Sequence, residues 1–586
     1  MKLGINISLI LLCLPGIFLC GCGQKTVIVQ TGNDSSAIEE NVESLGEVNE
    51  VPKELVQQYM LASIDTIDSR RYIRDPHFHR ILFKELKTYY RLNDYNLVWS
   101  TLSSPTNEAK TLLNQLALCE EHGLFSENYQ LDELVNLISE VYIYSSEVNV
   151  SQVIHLDIML SAAYITYAWH LYNGQIEASD LGEYWHSSRK HTELSLYLAD
   201  KGFKEGVRLI IPKRQAYDNL RKKLAIYLSI EEEGGWPLIP DSVRMYPGES
   251  HELIYLLRER LFYTNDYKKG LAKTSTEYVY GPELQNAVST FQKRHGLAPD
   301  GLLNKETIAA MNVSVEERVD QIKINLERFR WLPDDLGDLH LLVNIPEFMV
   351  KIYKKEKLMD ALKVIVGKAD HQTPILHDQV EYITFSPSWS VPDQAFNRKI
   401  LPKVKENPEY LDKIGYRLYA RSDVKGERPL DIRSIQWKDL KIINNDYRAV
   451  HPPGPNDNIH GQIKFAMPNS EDLFLCDAST TSLFDFSFRA FNYSSISVEK
   501  PELLAKYLLN DRKWDVRRIK ASMSQHTPES TILKEKTPVH VVYFTAWVDD
   551  EGVMQFRDDI YGYDIRQAEL MQLEEHRWLK EQSFIE

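Results

Sequence analysis

Near Pro333 the hydrophobic pattern changes its period, and that change divides the chain. From about residue 53 to 265 apolar residues recur three and four apart, which predicts helices. The clearest runs are "AKTLLNQLALCEEHGLF" and "HLDIMLSAAYITYAWHLYNGQI", and Asn173-Gly174 gives the second a stop. "GGWPLIPD" interrupts the pattern with Gly and Pro. Over 279–312 a compact unit follows: a helix with Leu284, Ala287, Val288 and Phe291 on one face, the turn "GLAPDG", and a second helix from Lys305 to Thr307 onward. "VSVEERVDQIKINLERFRWLP" predicts a strong amphipathic helix ending at Pro333. Beyond it the period becomes two. "HLLVNIPEFMVKIYKKEKLMDALKVIVGK" reads as strand, turn, strand, strand, and "VEYITFSPSWSVP" continues the sheet. Residues 393–450 read as a helical and mixed insertion, after which "GQIKFAMP" and "DLFLCDAS" resume the strands. "PVHVVYFTAWVDDEGVMQFRDDIYGYD" closes as a hairpin about Asp549 to Gly552, and 565–586 predict a polar terminal helix.

A chain of 586 residues is long enough for several domains and more than one core. Its 43% hydrophobic and 26% charged residues are ordinary for a globular protein. A net charge of −16 argues against nucleic acid or an anionic surface as the partner. The 32 tyrosines and 10 tryptophans lean towards contact with extended polar ligands, although tyrosine also fills cores.

The N-terminus, "MKLGINISLILLCLPGIFLCGCGQK", has one positive charge, an apolar run and then small residues. That is the layout of a bacterial secretory signal, and the apolar run is too short for a spanning helix. Leu19, Cys20 and Gly21 before Cys22 resemble the lipobox of bacterial lipoproteins, which implies cleavage after residue 21 and lipidation of Cys22. Residues 22–52 are polar and acidic and read as a flexible tether; about 30 such residues span roughly 30 Å root-mean-square. Cys13 and Cys20 would leave with the signal, so Cys119 and Cys476 remain. They could pair or stay free; Cys119 lies on an apolar helical face and reads as core.

Two resemblances give the domains their expected identities. Phe291-Gln292, Gly296-Leu297, Asp300-Gly301 and Thr307 resemble the type 1 peptidoglycan-binding domain, with Asn304 standing where that family usually has glycine. "TYYRLNDYNLVW", "GGWPLIP", "NVSVEERVDQIKINLERFRWLP", "LVNIPEFMVKIY", "VIVGK", "SPSWSVP", "GQIKFAMPN", "FRAF", "VEKP", "FTAWVDDEG" and "FRDDIYGYD" follow in the order of the L,D-transpeptidases. They resemble the large YcbB-like branch with a YkuD-type catalytic domain. The resemblance implies a multidomain α+β fold: a helical scaffold over 53–265 completed by 313–335, a peptidoglycan-binding domain over 266–312, a β-rich catalytic domain over 336–565 with a helical cap insertion at 393–450, and a tail from 566 to 586. Such enzymes cross-link peptidoglycan through a cysteine thioester, and the chemistry needs a nucleophile, a base and oxyanion donors.

The reactive run departs from that family. Between "RAF" and "VEKP" the family pattern is Ser-His-Gly-Cys-Ile-Arg-Val. Here its serine falls on Asn492, its histidine on Tyr493, its glycine on Ser494, its cysteine on Ser495 and its arginine on Ser497; Ile496 and Val498 are kept. Upstream the family histidine becomes Cys476, Asp477 is retained, and Thr-Pro becomes Ala478-Ser479. A serine hydroxyl is a weak nucleophile without a partnered base. A tyrosine, titrating near 10 in its ordinary state, is a poor one at neutral pH. Losing nucleophile and base together costs on the order of 10⁶ in rate in comparable hydrolases. Cys476 as a displaced nucleophile and His460 as a base are the two routes to rescued catalysis. Trp389, Asn458, Lys464, Asp477 and Arg489 lie at or beside pocket segments; Lys464 and Arg489 would meet stem carboxylates, or Trp389 and Arg489 simply hold the sheet. No His, Asp or Glu spacing indicates a metal, and no cofactor is expected.

The expected function is therefore that of an envelope lipoprotein, facing the periplasm, that binds peptidoglycan as a catalytically inactive scaffold or regulator, with other cell-wall enzymes as further partners and the membrane reached through Cys22. The alternatives are a working acyl transferase using Ser495 or Cys476, and a structural tether between membrane and wall.

Overall fold

A computed structural model describes residues 51–573, except 73–77, 145–147, 188–189, 191–192, 242–244, 269–277, 392, 394–395, 424–427, 441, 443–446, 452–460, 494 and 526, together with the pair Val27–Ile28. The expected signal, Cys22, nearly all of the tether, and 574–586 of the tail lie outside the described residues. Among the described residues no helix is long and apolar enough to cross a membrane.

The scaffold is helical. Its centre is Val150–Asn173, apolar on every side and buried along almost its whole length, as a core helix must be. Asn149 caps its start by accepting from the Ser151 and Gln152 amides. Gly174 ends it at φ +91°, and a Cβ there would stand 2.3 Å from Glu327 Oε1, so only glycine lets the chain leave at this point. The run "AKTLLNQLALCEEHGLF" is not one helix. Asn107–Ala117 is helical, and then a tight turn over Cys119–His122 brings Gly123 against the backbone of Lys323. Cys119 and Cys476 are both free and buried.

In the small helical unit, Pro282–Arg294 and Lys305–Asn312 share one core with Ile254–Tyr263. Fully buried Gln292 is its pivot. Its Nε2 donates to Asp300 Oδ1 at 2.8 Å, to the Leu302 carbonyl at 2.9 Å and to Thr307 Oγ1 at 3.0 Å, while its Oε1 accepts from the Gly301 amide. These contacts explain why Phe-Gln, Asp-Gly and Thr occur as a set. Asn304 departs from the expected glycine because it caps the next helix, its Oδ1 accepting from the Thr307 amide at 2.8 Å.

Val315–Arg330, capped by Ser314, is the spine between the domains. Arg330 and Glu327, both fully buried, pair at 2.6 Å. Glu327 also accepts from the Gln175 and Ile176 amides, and Arg330 donates to the His122 carbonyl and to Tyr217 Oη, so the pair is tied to three scaffold segments. Next to Glu327 in the chain, Arg328 pairs with buried Asp564 at 2.6 Å and donates to the Tyr543 carbonyl and Gln567.

The β-rich domain is a closed sheet. We number its strands β1 (Leu339–Asn344), β2 (Met349–Lys354), β3 (Lys357–Gly367), β4 (His377–Phe385), β5 (Ile463–Ala466), β6 (Phe474–Cys476), β7 (Ala490–Asn492), β8 (Ile496–Val498) and β9 (Glu529–Val542). The order is β7-β3-β8-β6-β5-β4-β9-β1-β2, and β2 pairs back onto β3 to close the ring. Its inside is Val, Ile, Leu and Phe from nearly every strand. The expected hairpin forms between Ala546–Val548 and Met554–Phe556, and Asp549 Oδ1 accepts from the Glu551 and Val553 amides in its turn. The insertion that reads as a helical cap also contains a three-stranded sheet of Trp389–Ser390, Tyr447–His451 and Arg417–Ala420, packed on short helices around Phe396, Leu411, Leu418 and Trp437. Its strands are too short to show a period of two in the sequence. The polar terminal helix begins earlier than expected, at Tyr563, and ends at Leu570.

Removing one member of the buried pair should be costly. Arg330→Met strands the Glu327 charge and is expected to lose about 3–5 kcal/mol in urea unfolding, whereas Arg330→Met combined with Glu327→Gln loses less. A single-variant loss below about 1 kcal/mol would contradict this role.

Candidate active site

The site is built where β3 ends. Gly367 leaves no room for a side chain, since a Cβ would stand 2.2 Å from the His371 carbonyl oxygen. The chain after it folds back as a short loop, held by the Gly367 amide donating to Thr373 Oγ1 at 2.8 Å and by Tyr561 Oη donating to the Gly367 carbonyl. β7 pairs with Val366 and Gly367 on one edge of β3, and β8 pairs with Val364 and Ile365 on the other. The reactive turn is therefore forced to cross the end of β3.

Within that turn the Ser495 amide donates to the Tyr493 carbonyl at 2.9 Å. Ser495 is half-buried and Tyr493 is 62% exposed, while Ser494 lies outside the described residues. Asn492 holds the turn from beneath. Its Nδ2 is 3.0 Å from the Ser495 carbonyl, 3.0 Å from Ser497 Oγ and 3.1 Å from the Ile365 carbonyl. Ser497 in turn lies 3.6 Å from Cys476 Sγ, its partner across the β6–β8 ladder. Asn492, Ser497 and Cys476 thus form one internal chain of polar contacts. Burial pushes the Cys476 thiol up to about 12, only partly offset by its bond to Ser497, so it is a neutral thiol at physiological pH.

The expected pocket residues separate into groups. Trp389 and Lys464 come together: Trp389 packs on Phe474 at 5.3 Å between ring centroids, and Lys464 Nζ lies 4.1 Å from the Phe474 ring and 5.4 Å from the Trp389 ring. Burial lowers the Lys464 ammonium from its ordinary value. Asp477 fixes the neighbouring loop, accepting from the Gln462 and Ala478 amides, and it sits so close to Gly461 that a Cβ there would be 2.3 Å away. Its burial raises the carboxyl, and the main-chain donors pull it back. Of the two readings of Arg489, carboxylate contact and sheet clamp, the geometry is that of the clamp. The buried guanidinium donates to the carbonyls of Val364, Phe348 and Phe486. Asn458 and His460 lie outside the described residues. Phe291, Gln292, Asp300 and Gly301 shape the small helical unit from within: the first two are fully buried, and Asp300 and Gly301 hold the turn through Gln292.

Two features escape sequence reasoning. His371 stacks edge-on against Tyr493 at 4.9 Å, with Asp370 beside its Nδ1 at 3.3 Å and Lys368 over the same tyrosine ring at 4.6 Å. The signal was "GKADHQTP", a loop forced back on itself by Gly367. Phe491 meets both Phe486 and Phe488 edge-on, and all three are exposed beside the turn. Among the described residues no group of three His, Cys, Asp or Glu could hold a metal ion.

Three family models match the chain. They are described as a scaffold domain, over residues 84–224, the L,D-transpeptidase catalytic domain, over 338–500, and a "Putative peptidoglycan binding domain", over 252–311. A curated relative from Haemophilus influenzae, named "Putative L,D-transpeptidase", is 29% identical over 282 residues, which span 47% of this chain and 55% of that protein. The chain thus spans about half of that relative's length. Among solved structures, an L,D-transpeptidase of Xylanimonas cellulosilytica is 11% identical, covering 52% of this chain and 99% of its own, with a TM-score of 0.17. One from Stackebrandtia nassauensis is 11% identical over 51% of this chain and 94% of its own, with a TM-score of 0.20. Overlaps that low decide nothing about the fold.

The thiol geometry gives a direct test. In the folded chain at about pH 8, Ellman's reagent is expected to leave both Cys119 and Cys476 unmodified, since burial pushes each up to about 12. Both should react once denaturant is added. Rapid native labelling mapped to Cys476 would show an accessible, activated thiol.

Proposed function

We propose that this chain, which belongs to the L,D-transpeptidase family and joins a YkuD-type domain to a peptidoglycan-binding domain, holds peptidoglycan without cross-linking it. The supporting observation is the chain of contacts Asn492–Ser497–Cys476. It occupies the positions from which family chemistry would be run and uses them to fix the turn. Ser495 Oγ makes no hydrogen bond to a base among the described residues, and the side chain at the family's histidine position, Tyr493, is turned to solvent. Lys464, held over the Trp389 and Phe474 rings, would offer a cation for a peptide carboxylate without turning it over. The signal-like N-terminus and Cys22 support an exported, lipid-anchored protein in the envelope, held near the wall by a tether. Its role is then scaffolding, or regulation of active cross-linking enzymes.

A second reading rests on the Asp370–His371–Tyr493 row, which lies against the reactive turn. If substrate binding brought His371 to Ser495, the arrangement would have the nucleophile, base and orienting acid of a serine acyl transferase.

Carbapenem incubation separates the two. Family cysteines are acylated by such compounds, and here the intact mass is expected to stay unchanged. A stoichiometric adduct mapped to Ser495 or Cys476 would sink the non-catalytic reading. Binding is tested by co-sedimentation with purified sacculi. The chain should pellet with the wall, and deletion of 279–312 should reduce the pelleted fraction several-fold; equal pelleting without that segment would move the binding role elsewhere.

A further inference from the structure

A cleft of about 350 Å³ lies where the peptidoglycan-binding domain, the start of the spine helix and the exit of the barrel hairpin meet. It is a built junction. Arg557 donates to the Arg294 carbonyl at 2.9 Å and packs so closely that a Cβ on Gly296 would be 2.7 Å from its Cδ. His295 stacks between Phe291, at 3.8 Å, and Phe556, at 5.5 Å. These contacts cross the domain boundary, so the cleft is preformed, as ligand pockets between domains usually are.

Its lining has two chemistries. Ala309, Ala310, Leu297 and Phe556 give an apolar floor. Around it stand the carboxylates Glu306, Glu317 and Asp558 and the guanidinium of Arg318. Arg318 is 7% exposed and lies 4.4 Å from the Phe556 ring. Its Nη atoms donate to Gln321 Oε1 at 2.7 Å and to the Ala310 carbonyl at 3.3 Å, and its Nε has no hydrogen-bond partner among the described residues. Nor does any described carboxylate come within salt-bridge distance of it. A buried guanidinium without a carboxylate is costly, and a bound anion would offset that cost. The three acids, two of them exposed near the mouth, favour a cation there.

We infer that this cleft binds a short zwitterionic peptide, its carboxylate on Arg318 and its ammonium on Glu306, Glu317 and Asp558. Alanines from the second helix of the peptidoglycan-binding domain form the floor, so the ligand would touch that domain, the spine and the barrel at once. This assignment does not depend on whether Ser495 reacts.

Isothermal titration of the full chain with dialanine, in its L,L and D,D forms, tests it. One form or both should bind saturably at one site. The same peptide acetylated and amidated, and so without either charge, should bind at least tenfold more weakly. Ala309→Phe, at an exposed position on the cleft floor, should weaken dialanine at least tenfold while leaving the thermal midpoint unchanged. Arg318→Gln should do the same to affinity; if that variant does not fold, Ala309→Phe still decides. No saturable heat with either form, equal binding of the blocked peptide, or undiminished binding by Ala309→Phe would overturn the assignment.

Discussion

The constraint on which the rest depends is that charges buried on the spine helix must each have a partner. Val315–Arg330 is buried along almost its whole length and yet carries Arg318, Lys323, Glu327, Arg328 and Arg330. A buried ion without compensation would cost several kcal/mol, so the surrounding chain is organised to supply partners. Glu327 and Arg330 take them from the scaffold at His122, Gln175, Ile176 and Tyr217. Arg328 takes them from the barrel side at Asp564, Gln567 and Tyr543. One helix thereby sets how scaffold and barrel sit together. Arg318, towards its other end, donates to Gln321 and the Ala310 carbonyl, has Glu317 and Asp558 as its nearest opposing charges, and lines the cleft there.

Around the reactive turn the structure separates frame from contents. The frame is steric: Gly367 admits no side chain, Arg489 clamps three carbonyls, and β7 and β8 hold opposite edges of β3. Nothing in it requires a cysteine or a histidine. Asn492, Ser497 and Cys476 fill the same space with hydrogen bonds that point inward. A polar residue buried at such a place must be satisfied, and mutual bonding satisfies these three without a substrate.

Much of this was legible in the sequence. The shift of period near Pro333 marked the helical and β-rich halves. Phe-Gln, Asp-Gly and Thr at their spacing marked the small helical unit, because Gln292 needs those partners at those distances in sequence. The ordered phrases around the barrel were equally plain. Less was visible wherever a residue's meaning depends on a distant neighbour. The contact of His371 with Tyr493 exists because Gly367 folds the loop back. The cap's strands were too short for a period of two to register.

By itself, then, the sequence determined the resemblance to the L,D-transpeptidases and the order of the matched domains, since each is written in residue types at fixed local spacing. Only the tertiary structure decided which polar residues are spent on holding the fold and which remain available to a ligand. Arg489 and Arg318 are both buried arginines in polar surroundings; the first has its donors filled by carbonyls, and the second still has an unmatched Nε. That difference comes from what packs against each from other parts of the chain, and no local pattern records it.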